Sequence, residues 1–126
     1  MEVQSNPNKC AEFVIVLLQA RTQAHIYHFQ TRKFSAHIAL NEFYDGILEL
    51  TDSFVESYQG CYGIIRNYPM QAPIKEDDQP LKYMESLCSY INSNRSMFDE
   101  SYLQNQIDEM VKLIETTKYK LRELVD

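Results

Sequence analysis

The chain has 126 residues, 44% hydrophobic and 24% charged, the balance of one globular domain rather than of a disordered chain. Three glycines and four prolines are too few for a turn-rich sandwich or barrel, so an all-α fold over residues 1–126 is expected. The formal charge of −6 sets the surface against phosphate backbones and anionic lipid, which makes DNA and membranes poor default partners.

Asn6-Pro7-Asn8 offers a capping Asn and a Pro suited to a first turn, so a helix is predicted from about Asn8 to Gln30. Phe13, Leu17, Ala20, Ala24, Tyr27 and His28 recur along it at helical spacing. A second helix is predicted from Phe34 or Ser35 to about Gln59, with Gly60 as its C-terminal cap. Its stripe is Leu40, Phe43 or Tyr44, Ile47 or Leu48, Thr51, Phe54 or Val55, and Tyr58. The short Thr31-Arg32-Lys33 link makes these two helices an antiparallel hairpin.

Residues 60–80 break the pattern with Gly60, Gly63, Pro69, Pro73 and Pro80 and the polar run Lys75-Glu76-Asp77-Asp78-Gln79. They read as a long crossover connection, of a length that usually accompanies function or mobility. A third helix follows Pro80, with Leu81, Met84, Leu87 or Cys88, and Ile91 on one side. Leu103, Ile107, Met110, Ile114, Thr117, Leu121 and Leu124 alternate four- and three-residue steps in a fourth. Two capping boxes, starting at Ser96 and Ser101, compete for its start. Four helices with one short hairpin and one long crossover predict a four-helix bundle of the ferritin-like kind.

Cys10, Cys61 and Cys88 are odd in number and lack CxxC spacing, which reads as free thiols in a reducing compartment. The first ten residues lack the basic region of a signal peptide, and the apolar run from Phe13 to Leu18 is far short of the ~20 residues of a membrane span. A cytoplasmic location is therefore expected. Phosphate-cradling glycine motifs and the ExxH pairs of single-chain di-iron bundles are absent from the sequence.

The histidines are the unusual feature, because His25, His28 and His37 all flank the first hairpin. Imidazole is a common ligand of iron, zinc and copper, although a histidine that ends an apolar stripe can equally serve a local hydrogen bond. On the second helix, Asp52 and Glu56 stand one turn apart on one face, either as ligands or as part of a solvated acidic face with Asp45 and Glu49. Fifteen residues separate His37 from Asp52, roughly 22 Å of helix, so the two cannot bind one ion within a chain. Across a twofold axis an antiparallel neighbour could bring them together, which would require a dimer or larger assembly.

The spacing of His25, His37, Asp52 and Glu56 resembles the ferroxidase ligands of the Dps family, ferritin-like proteins with a di-iron site between subunits. The blocks Ala24-His25-Ile26-Tyr27-His28-Phe29-Gln30-Thr31, Phe34-Ser35-Ala36-His37 and Glu42-Phe43-Tyr44-Asp45, then the stretch from Asp52 to Gly60, are similar to small Dps-related proteins of tailed phages. The resemblance covers the first half of the chain. It implies a homo-oligomer binding iron through His25, His37, Asp52 and Glu56, with His28 or Asn41 accessory, and Fe(II) oxidation by oxygen or peroxide. Asn41 stands where the family has an acidic ligand, and no Trp follows the first histidine. The absence of a basic tail argues against carrying over the family's DNA compaction. The alternative expectation is a phage helical bundle that serves as a structural or host-interaction protein without catalytic activity, in the host cytoplasm or with the virion.

Overall fold

The computed structural model describes residues 7–126. Among them there are four α-helices and no strand: α1 (Pro7–Gln30), α2 (Phe34–Tyr62), α3 (Pro80–Asn94) and α4 (Ser101–Glu123), with a single 3-10 turn over Arg95–Met97. The capping Asn6 expected before α1 lies outside the described residues.

Helices α1 and α2 bury the apolar stripes expected of them, and α3 and α4 most of theirs, with Leu81 and Leu121 only partly buried. Phe13, Leu17, Ala20, Ala24, Tyr27 and His28 of α1 face Leu40, Phe43, Ile47, Thr51, Phe54 and Tyr58 of α2. Met84, Leu87, Cys88 and Ile91 of α3 and Leu103, Ile107, Met110, Ile114 and Thr117 of α4 complete the core. Helix α1 packs on α2 and α3, and α4 packs on α2 and α3, so the four form a closed bundle. The α2–α4 contact is close at Gly46, where an added Cβ would lie 3.0 Å from Leu113 Cδ2.

Residues 63–79 connect α2 to α3 without regular structure. The connection leaves the end of α2 with Ile65 buried and its N–H donating to Gln59 Oε1 at 2.9 Å. It then returns along α1: Gln19 Nε2 donates to the Met70 carbonyl at 3.4 Å, and the Asp77 N–H donates to the Tyr27 hydroxyl at 3.2 Å. The Tyr27 hydroxyl donates in turn to the Asp77 carbonyl. By Asp77 the chain is back at the α1–α2 hairpin, where Pro80 opens α3 at a position that needs no amide hydrogen. Helices α2 and α3 therefore run in one direction, α1 and α4 in the other.

Two helix ends and one cap differ from the expectation. Helix α2 continues past Gly60 to Tyr62, and Gly63, at φ +99, terminates it, its N–H donating to the Gln59 carbonyl. At Gly60 an added Cβ would meet open space, so packing does not require a glycine there. Helix α4 starts at Ser101, yet neither expected capping box forms. Gln104 instead turns back, its Nε2 donating to the carbonyls of Arg95 and Phe98 at 2.7 Å each, while Arg95 Nε donates to Gln104 Oε1 at 2.8 Å. These bonds fix the α3–α4 corner in place of a cap. Leu124, expected to extend the α4 seam, lies beyond the helix and is exposed.

Candidate functional site

His28 and His37 lie symmetrically about the hairpin loop, so antiparallel pairing alone brings them together. Their rings stack with centroids 3.6 Å apart at 21°. Each bonds the other's backbone: His28 Nδ1 lies 2.7 Å from the His37 carbonyl oxygen, and His37 Nδ1 lies 3.0 Å from that of His28. A carbonyl oxygen only accepts, so each Nδ1 carries its hydrogen, and the neutral ring keeps its lone pair on Nε2. The tautomer follows from the partners. The pair thus closes the hairpin with two reciprocal bonds, and His28 is buried.

His25 stands one turn earlier on α1. Its ring stacks on Tyr44 of α2 at 4.1 Å and on Phe29 at 4.6 Å, with the His28 ring 5.8 Å away. The Tyr44 hydroxyl donates to Asn41 Oδ1 at 3.0 Å, and Asn41 Nδ2 donates to Asp45 Oδ2 at 2.9 Å. Arg21 places its guanidinium carbon 5.7 Å from the Tyr44 ring centroid, a cation–π contact. Its buried Nε has no acceptor among the described residues.

The structure therefore brings together four of the six residues singled out in the sequence: His25, His28, His37 and Asn41. Asp52 and Glu56 are exposed further along α2, with no ion-pair partner among the described residues. No group of three or more His, Cys, Asp or Glu that could hold a metal ion forms among the described residues. The amide of Asn41 is already engaged on both sides, by Tyr44 and Asp45.

Of the two further participants, Arg21 had no signal in the sequence, and Tyr44 stood in the resemblance blocks without a role at the site. Tyr44 lies two turns after His37 on the same helix face, and that spacing was the available signal.

Around these polar groups the hairpin exposes apolar side chains. Phe29 is 73% and Phe34 70% exposed, with Leu18, Ile26 and Ile38 between 37% and 41%. Leu18, Thr22, His25 and Phe29 follow one stripe of α1, and Phe34, Ile38, Asn41, Asp45, Leu48, Asp52 and Val55 follow one stripe of α2. The two stripes make a single outer face with aromatic and imidazole groups at the hairpin end and carboxylates toward the other.

Burial pushes the Cys10 thiol up to about 12, opposed by a hydrogen bond with Tyr58. Tyr62 donates to Glu100 Oε2, which raises the phenol, and Glu100 Oε1 is buried without a partner among the described residues. No helix among the described residues is long and apolar enough to cross a membrane.

Comparison with known proteins gives two matches. An "Uncharacterized 14.6 kDa protein in mobD-ri intergenic region" of Enterobacteria phage T4 is 26% identical over 117 residues, covering 91% of this chain and 89% of the phage protein. No solved structure matches. Neither match is to a ferritin-like or Dps protein. The model of a family of unknown function, DUF5856, matches residues 28–121, a span that holds His28, His37, Asn41, Asp52 and Glu56 and omits His25. That span is well over half of the chain, which therefore belongs to the DUF5856 family.

Proposed function

We propose that this DUF5856 protein is a phage-encoded helical bundle that works by protein association, without a catalytic centre, and that the outer face of its α1–α2 hairpin docks a second copy of the chain. The observation that carries the reading is the pairing of a histidine lock, closed by two reciprocal Nδ1 bonds, with a bare aromatic rim. Phe29 and Phe34 stand 73% and 70% exposed at the hairpin end, a cost in water that a partner surface would remove. The phage relative, matched over nearly its whole length, supports the viral origin.

A second copy suits this face for two reasons. Twofold antiparallel docking would set the carboxylates of Asp52 and Glu56 opposite the end of the neighbour's face that carries the Arg21 guanidinium, so the face is complementary to itself. The 29 residues of α2 span roughly 43 Å. With α1 beside it, the face offers on the order of 800 Å², the share each partner contributes to a standard interface.

A second reading is favoured by one observation: the His28 and His37 Nδ1 atoms are occupied by carbonyls, leaving Nε2 lone pairs for a cation. Here the chain would be a ferritin-like, Dps-like bundle, with residues 63–79 as its crossover, that binds iron between subunits and oxidises Fe(II). The nitrogen donors of His25 and His37 and the oxygen donors of Asp52 and Glu56 suit iron chemically. They do so only across an interface, since one chain holds them apart. His28 and Asn41 would be accessory.

Native mass spectrometry before and after anaerobic Fe(II) addition separates these readings. An oligomer indifferent to iron supports the association module. Iron gained in proportion to interfaces supports the second reading. A monomer at every concentration overturns both.

A further inference from the structure

The first turn of α2 has no cap from its own neighbourhood. Lys33 occupies the N-cap position with a side chain that accepts nothing, and the Thr31 hydroxyl oxygen is engaged by the Lys33 N–H at 3.2 Å. The His37 N–H reaches the Lys33 carbonyl at 3.0 Å, so the amides of Phe34, Ser35 and Ala36 must be satisfied from outside the helix. Two of them are satisfied from the far end of the chain. The Asp126 carboxylate accepts from the Phe34 N–H and, at 2.9 Å, from the Ser35 N–H. The Ser35 hydroxyl returns a bond to the Leu124 carbonyl at 3.0 Å. A carboxylate at this place also meets the positive end of the α2 dipole, beside Lys33.

The segment that delivers Asp126 has little apolar anchorage. Helix α4 ends at Glu123, and Leu124 turns to an extended conformation, φ −92 and ψ 106. Leu124 and Val125 are 44% and 69% exposed. Solvent-exposed hydrogen bonds with little burial behind them belong to the low-stability end of a fold and open locally. What they hold matters, because the turn they cap carries Phe34 and leads into His37, the partner of His28.

We propose that residues 124–126 form a reversible clasp on the start of α2: closed, it holds the first turn of α2, with Phe34 and the His28–His37 lock, in register; open, it lets that turn fray and the lock loosen. The clasp makes the end of α4 a control on the hairpin's outer face. It does not depend on what that face binds.

Amide hydrogen exchange on the full chain tests the clasp, with Leu87 in α3 as internal reference. In Asp126→Ala, exchange at Phe34 and Ser35 should accelerate by about tenfold or more, with a smaller rise at His37 and none at Leu87. The His37 imidazole ¹⁵N signals should then show loss of the single Nδ1–H tautomer. Asp126→Glu, which keeps the carboxylate, should restore part of the protection. Unchanged protection at Phe34 and Ser35 in Asp126→Ala overturns the clasp, and so does acceleration that is equal at Leu87.

Discussion

The two ends of the bundle are built on different physics. At the end away from the hairpin, Phe13, Phe54 and Phe98 interlock edge-on or tilted with centroids 5.1 to 5.6 Å apart, all buried, with Tyr58 against them. This packing is apolar and non-directional, and it draws one aromatic residue each from α1, α2 and the α3–α4 corner. The hairpin end is held by directional bonds: His28 with His37, Tyr27 with Asp77, and Asp126 with the start of α2. Its own phenylalanines, Phe29 and Phe34, face water. One end thus secures the fold, while the other fixes the shape of a surface and leaves its apolar groups unspent.

Mutations at matched residue types should expose that difference. Phe98→Ala should cost about 3–5 kcal/mol in urea unfolding, because it empties a site enclosed by three other aromatic rings. Phe29→Ala and Phe34→Ala should each change stability by no more than about 0.5 kcal/mol, since their rings bury little within the chain. A large loss at Phe34 would mean that its ring packs with the buried residues of the hairpin end, such as Leu40 and Tyr27.

Between these extremes lies the lock. His28→Ala removes the donor to the His37 carbonyl and the stacked ring, and should cost about 1–3 kcal/mol in the same assay. An intermediate loss that fails to appear would make the reciprocal bonds incidental.

The smallest effect concerns pH. The Ser35 amide, then the Phe34 amide, the Ser35 hydroxyl and the nearby Lys33 charge hold the Asp126 carboxyl below its ordinary range, with partial desolvation opposing them. A folded pKa below the unfolded one means that the clasp contributes fully above the ordinary carboxylate range. Its contribution is lost as pH falls through the lowered value. Melting-temperature profiles from about pH 7 to about pH 3 should therefore fall more steeply for the wild type than for Asp126→Asn. Parallel profiles would show that the carboxylate is free.

Much of this architecture could be read from the chain itself. Three- and four-residue spacing of apolar side chains marked all four helices, and the three-residue link fixed the hairpin that joins His28 to His37. Local signals failed where distant parts intervene. Gly60 looked like a helix stop, yet α2 runs on to Gly63, whose positive φ marks the real end. Ser96 and Ser101 looked like caps, but Gln104 and Arg95 supply the corner's bonds from across the turn. Nothing near Phe34 announces that a carboxylate from beyond α4 will cap it. The candidate site divides in the same way: the three histidines cluster as their spacing expects, whereas Tyr44 and Arg21 join through tertiary packing, and Asp52 and Glu56 can meet the histidines only through another chain.

The central claim, that the outer face of the hairpin docks a second copy, is tested most directly by sedimentation velocity over a range of concentrations. The wild type is compared with a Phe29→Glu, Phe34→Glu double variant. The account predicts a wild-type species that grows with concentration to at least a dimer, and a double variant that stays monomeric with unchanged helical circular dichroism. A wild type that remains monomeric throughout, or a double variant that associates as well as the wild type, would contradict it.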